Sequence, residues 1–152
     1  MKKLLISLSL AMSVMAIAAQ AEVTITSQSY QKVIKKKKAK WVKATKVVPG
    51  SVILYMNTLK NKGTQVAQKL TVVNAIPEHM QYVKGTAKCK TACKVTYSVD
   101  GGKTFNKPKK LFVGKGKKRH QAKASEYTTI MWVVNTLKGG KKTSVQYKAR
   151  LK

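Results

Sequence analysis

Apolar and polar residues along this chain alternate in short runs broken by Pro, Gly and Asn, the signature of strands rather than helices. Val23-Thr24-Ile25-Thr26 predicts a first strand, and Lys40 to Val48 alternates loosely as a second, edge strand. After Pro49-Gly50, the run Ser51 to Leu59 is rich in residues that suit a pleated surface. Asn61-Lys62-Gly63 supplies a turn, Val66 to Val73 a return run, and Asn74-Ala75-Ile76-Pro77 its stop. Met80 to Gly85 and Lys94 to Val99 read as short strands, and Tyr127 to Leu137 as a strongly apolar one centred on Trp132. Beyond Lys138-Gly139-Gly140-Lys141, Val145, Tyr147, Ala149 and Leu151 point one way and Gln146, Lys148, Arg150 and Lys152 the other. That strand has a core face and a basic, wet face.

The run after Pro49 departs from simple alternation. Ile53, Tyr55, Asn57 and Leu59 share one face, while Val52, Leu54, Met56 and Thr58 share the other, which is also largely apolar. An exposed sheet face would carry more Thr or Lys. Either the N-terminal segment covers this second face or another protein meets it. The expected core is Trp132, Tyr55, Leu70, Val72, Val133 or its neighbours, Val145 and Tyr147.

Residues 1–21 predict a cleaved signal peptide: a basic start at Lys2-Lys3, an apolar stretch from Leu4 to Ala18, and Ala19-Gln20-Ala21 as a small-x-small cleavage site. The apolar stretch is shorter than the roughly 20 residues a spanning helix needs, so the processed chain is not expected to be transmembrane. The expected organisation is 1–21 signal peptide, 22–47 basic N-terminal arm with one or two edge strands, and 48–152 sandwich. The expected address is exported: periplasmic, cell-surface or extracellular.

Charge sharpens the partner class. The formal net charge is +28, with 32 Lys and Arg against four acidic residues. Such a chain favours anionic polymers or surfaces, whether lipopolysaccharide, nucleic acid or acidic glycan. Only Arg119 and Arg150 are arginines, so contacts would be diffuse point charges rather than bidentate forks. Two segments concentrate the charge. The first holds Lys35, Lys36, Lys37, Lys38, Lys40 and Trp41, and the lysine run with no apolar face reads as a loop or mobile arm. The second, a long basic loop from Lys103 to Lys123, holds Lys109, Lys110, Lys115, Lys117, Lys118 and Arg119. The bland alternative is solvated decoration, lysine on an edge strand serving only to block further pairing.

Chemistry is sparse. Cys89 and Cys93, the two cysteines, predict a disulfide stapling the base of a hairpin in an oxidising compartment. Ser98 to Phe105 resembles an Asp-box, in which Asp100 accepts backbone N–H groups within a turn. His79 and Met80, with His120 at a distance, are the weak case for a periplasmic copper carrier. No catalytic residues and no cofactor are expected, since no carboxylate pair, nucleophile motif or phosphate-cradling Gly loop is present.

The ordered set Pro49-Gly50, Tyr55, Asn61-Lys62-Gly63, Ile76-Pro77, Tyr82-Val83-x-Gly85, Tyr97 to Gly102 and Trp132 resembles the bacterial conserved-repeat domain, domain of unknown function 11. The resemblance runs from about Val48 to Leu151. It implies an all-β fold, an immunoglobulin-like antiparallel β-sandwich of about seven strands, and an extracytoplasmic address, with no catalytic residues. The sequence departs from that pattern at Asn74, usually Asp, at Asn57, usually apolar, and at Val52, Leu54 and Met56, usually Thr-like. Two functions follow as expectations. One is a non-enzymatic binding module contacting anionic polymers through its lysine-rich segments. The other is a structural subunit joining an envelope protein partner through the Val52, Leu54 and Met56 face.

Overall fold

The computed structural model describes residues 21–35 and 38–152. The expected signal peptide therefore falls almost wholly outside the described residues, as do Lys36 and Lys37.

The fold is a two-layer antiparallel β-sandwich. Its larger layer has six strands: β1 (Val23–Lys35), β2 (Lys38–Lys43), β3 (Val52–Asn61), β5 (Met80–Tyr82), β6 (Lys88–Cys89) and β11 (Lys142–Leu151). They run in the order β2-β1-β3-β11-β5, with β6 also pairing β11. The smaller layer is β4 (Ala67–Ala75), β10 (Thr129–Leu137) and β7 (Cys93–Ser98), with β10 in the middle. A two-stranded ladder joins β8 (Phe112–Val113) to β9 (His120–Gln121).

The N-terminal segment builds into the large layer, with β2 at its edge. Ser27, Gln28 and Ser29 carry no strand signal, yet they pair with Asn57, Met56 and Tyr55. β1 is thus a 13-residue strand beside β3, not a short alternating one. At the two ends of the lysine run, Lys35 closes β1 and Lys38 begins β2, opposite each other in register. The backbone of the segment extends the sheet sideways, and Trp41 reaches back from it over the second face of β3.

The core lies between the layers. Trp132, Ile130, Val134, Leu59 and Val145 are fully buried, with Tyr147 and Ala149 beside them. Alternation on β11 places its apolar residues inward, as expected. On β10, Val134 rather than Val133 faces the core, and Tyr55 is half-buried, stacked on Tyr147 at 4.9 Å between ring centroids. Tyr82, Tyr97 and Tyr127 extend this aromatic chain toward the sheet edge. Burial raises the phenol of Tyr97, with the Tyr82 hydroxyl at 3.3 Å adding to the shift.

Tight backbone approach explains one glycine. A Cβ on Gly139 would sit 2.3 Å from the carbonyl oxygen of Thr64, so the β10–β11 turn packs directly on the β3–β4 turn. Gly140 N–H donates to Gly63 O across the same contact.

Candidate anion-binding surface

The outer face of the large sheet follows from strand register. Leu54 on β3 lies between Tyr30 on β1 and Lys148 on β11. Lys32 opposes Trp41, and Tyr30 opposes Lys43. Val52 opposes Arg150, and Met56 lies between Gln28 and Gln146. Side chains two apart on a strand share a face. Tyr30, Lys32, Trp41, Lys43, Val52, Leu54, Met56, Lys148 and Arg150 therefore belong to one surface.

Two long side chains meet above it. The Lys148 ammonium stands 5.1 Å from the centroid of the Trp41 ring, a cation–π contact reaching across from β11 to the edge hairpin. This pair roofs the middle of the face and accounts for Leu54 being only 7 % exposed, while Val52 and Met56 stay half-buried. The backbone of Lys148 is pinned by Thr86 Oγ1, which accepts its N–H at 3.0 Å. Arg150 Nη1 donates to Gly50 O at 3.1 Å, holding the guanidinium at the same end of the sheet. An open groove of about 540 Å³ runs beside the pair, lined by Lys32, Val33, Trp41, Val52 and Lys148 among others.

The two lysine-rich segments do not converge. The hairpin holding Lys38, Lys40 and Trp41 forms the β2 edge, whereas residues 108–126 pack beside β5 at the opposite edge. Four inter-strand spacings, about 19 Å, separate those edges. Lys40 opposes Val33 and so faces away from Trp41. Among the described residues of the first segment, Trp41 alone lines the groove.

The second segment is not a loose loop. Leu111 and Ala122 are buried, and Ala122 N–H donates to Leu111 O. Lys109 and Lys110 sit on a 3₁₀ turn at Pro108–Lys110, Lys117 and Lys118 on another at Gly116–Lys118, with Lys115 just before it. All five are exposed. Arg119 is engaged, its guanidinium 4.4 Å over the Phe112 ring. His120 Nε2 meets Glu126 at 3.1 Å, the one ion pair among the described residues. The Lys118 carbonyl and the Glu126 carboxylate raise the imidazole above its ordinary value. The backbone N–H of Lys123, then His120, holds Glu126 below the usual carboxylate range. Among the described residues no lysine forms a salt bridge, so the excess charge is not consumed internally.

The remaining candidates resolve into structure. Cys89 and Cys93 form a disulfide, but not at the base of a hairpin: Cys89 is on β6 in the large sheet and Cys93 on β7 in the small one. Asp100 acts as a turn device. Its Oδ1 accepts from Ser98 Oγ, Lys103 N and Thr104 N, and its Oδ2 from Thr104 Oγ1. Met80 is buried in the core, away from any site it could share with exposed His79. Among the described residues no group of three or more His, Cys, Asp or Glu could hold a metal, and no helix is long and apolar enough to cross a membrane.

Sequence reasoning singled out Trp41 but not Lys148 as its partner. The alternation of the last strand marked Lys148 and Arg150 as a basic face; what it could not show was that β11 lies two strands from β1.

No family model matches this sequence, and no curated protein does. Among solved structures, the chain is similar to a protein from Corynebacterium diphtheriae described as membrane-anchored, with a TM-score of 0.52 at 16% identity. The similarity covers 85% of this chain and 27% of that one, so this chain corresponds to about a quarter of the neighbour's length. At that identity the likeness is one of fold.

Proposed function

We propose that this chain is an exported, non-catalytic β-sandwich module that contacts anionic polymers or surfaces through the outer face of its six-stranded sheet. The observation that carries the reading is the groove in which Trp41, Lys32 and Lys148 meet on an open face. Lysine supplies attraction without bidentate selection, and an aromatic beside lysines gives a stacking platform that tolerates many ligands. Among the described residues no lysine is in a salt bridge, which leaves their field uncompensated. Export is supported by the disulfide, which persists in oxidising compartments, and by the basic and apolar pattern of residues 1–21.

Heparin, single-stranded DNA and lipopolysaccharide titrated at several salt concentrations test this. Affinity should fall steeply with salt and fall further in Lys148→Gln and Trp41→Ala. Binding that ignores salt, or is absent at low salt, refutes the reading.

A further inference from the structure

The small layer is narrower than the large one, and the difference falls beside β4. Among the described residues β4 pairs with β10 alone, whereas β3, which it packs against, continues sideways into β1 and β2. Two hydrogen bonds fix the alignment. Asn57 Nδ2 donates to Asn74 of β4, and Asn61 Nδ2 donates to the carbonyl of Leu137, which opposes Ala67. β4 from Ala67 to Asn74 therefore tracks β3 from Asn61 back to Asn57, and with it β1 from Val23 to Ser27. Directly opposed residues share a face. Val23, Ile25 and Ser27 thus turn toward the small layer with Asn61, Leu59 and Asn57. No described strand of that layer covers them: Leu59 is fully buried, but Ile25 opposite it is 51% exposed. Past Ser29 this shelf ends, where the link from β2 to β3 packs Ala44 and Val47 against the core. A recess of about 190 Å³ between shelf and β4 is lined by Ser27, Ser29, Asn57 and Asn74 among others.

The edge beside this shelf offers backbone groups. Ile76 N–H donates to Thr128 O, and Asn135 N–H turns the other way, to Ala92 O. Backbone groups alternate sides along a strand, so the even-numbered residues of β4 bond β10, while Thr71 and Val73 turn theirs to the free side. Such a row is a template for another strand. β4 has no proline to blunt it, and its one lysine, Lys69, stands before the regular stretch with φ 51 in the left-handed region.

We propose that β4 accepts an extended acidic segment of another protein, added to the small layer as a fourth strand over the β1 shelf. In strand addition, backbone bonds supply affinity and alternate side chains supply specificity. One set of the added side chains rests on Ile25 and Ser27; the other faces water beside Val73, itself 51% exposed. Charge selects the occupant. β1, β3 and β4 contain no acidic residue, and carry Lys32, Lys60 and Lys69 among others. A second copy is disfavoured, since two chains of formal charge +28 repel. Of the four acidic residues, Asp100 and Glu126 are held in their own turns. The site stands apart from the anion-binding face, which lies on the other side of β1 and β3.

The test uses the full chain and a synthetic heptapeptide alternating valine with glutamate. Its controls are a peptide of the same composition with the valines and glutamates in separate blocks, and two N-methylated forms, each blocking one alternate set of amides. Binding is read by fluorescence anisotropy of labelled peptide, and the edge by amide exchange. The alternating peptide should bind. One N-methylated form should match it, and the form that loses its bonds to β4 should bind about tenfold more weakly. The Thr71 and Val73 amides should exchange fast in the free chain and slowly in the complex. Val73→Pro, which removes one outward N–H, should weaken peptide binding and leave heparin binding intact; if this variant does not fold, the N-methylated pair decides. A block peptide that binds as tightly as the alternating one overturns the proposal and assigns affinity to net charge. Equal affinity of the two N-methylated forms overturns it as well. So do Thr71 and Val73 amides already protected in the free chain, which would mean that the chain or a second copy covers this edge itself. Heparin binding without peptide binding defeats the added strand and spares the anion-binding reading.

Discussion

Asn57 donates a hydrogen bond from its Nδ2 to Asn74 Oδ1 at 2.7 Å, joining β3 in one sheet to β4 in the other. Asn57 is 2 % exposed and sits among apolar residues, where an unpaired amide would be costly. The structure makes these two asparagines, seventeen positions apart in the chain, each other's partner.

Asn57→Ala should cost about 1–3 kcal/mol, because it leaves Asn74 without its cross-layer donor. In a double-mutant cycle with Asn74→Ala, a coupling of about 0.5–1.5 kcal/mol is expected from urea denaturation. Additivity of the two single changes would show that the bond contributes nothing beyond its separate halves.

The disulfide crosses between layers. Cys89 lies beside Val145 of β11 and Cys93 beside Val134 of β10. The link is reinforced by Lys90 N–H to Ser144 O and Asn135 N–H to Ala92 O. The closed loop is short, so replacing both cysteines by alanine should lower stability by about 2 kcal/mol. Faster amide exchange should be confined to β6 and the start of β7, a local opening. Exchange rising evenly over both sheets would contradict a staple at one margin.

Trp132→Ala should destabilise by about 3–5 kcal/mol through the cavity it leaves. Trp132→Phe should cost clearly less. The indole N–H has no hydrogen-bond partner among the described residues, so Phe forfeits packing and no polar contact. Equal losses from the two variants would show that filled volume is not what the site rewards.

Legibility in the sequence followed the range of the interaction. The inward set of β11, the burial of Trp132 and the Asp100 turn were readable because each depends on residues a few positions apart. The β1 pairing was not: Ser27 to Ser29 are polar and become a strand only because β3 lies alongside. Lys148 over Trp41 was illegible for the same reason, since the contact needs β2, β1, β3 and β11 in order. The cysteines were paired correctly and placed wrongly, because a three-residue spacing cannot tell a hairpin end from a step between sheets.

Hydrogen bonds from Ser98 and Thr104 hold the Asp100 carboxyl far below its ordinary value of 3.8. A depressed folded-state pKa gives stability that is present above the unfolded value and lost as pH falls through the folded one. Asp100→Asn should therefore melt earlier than the parent at neutral pH, and the gap should narrow as the solution is acidified below about pH 4. A gap independent of pH in thermal melts would assign the loss to geometry rather than charge.

On the basic face, Lys148→Gln should reduce heparin affinity more than Lys109→Gln, since Lys109 lies at the far edge in a region that does not line the groove. If six lysines meet phosphates on duplex DNA, log K against log salt should slope near −5, from about 0.9 per phosphate. Equal effects from the two lysines would assign binding to net charge alone.

β11, the last strand described, occupies an interior position in the large sheet, paired with β3 on one side and with β5 and β6 on the other. Its partners on β3 lie some ninety residues earlier in the chain, as Lys148 opposite Leu54 illustrates. The large sheet cannot close until this strand is in place. Closing so long a loop makes this pairing slow to form. Completion of the large sheet thus waits on β11, the one strand that joins β3 to β5 and β6 among the described residues.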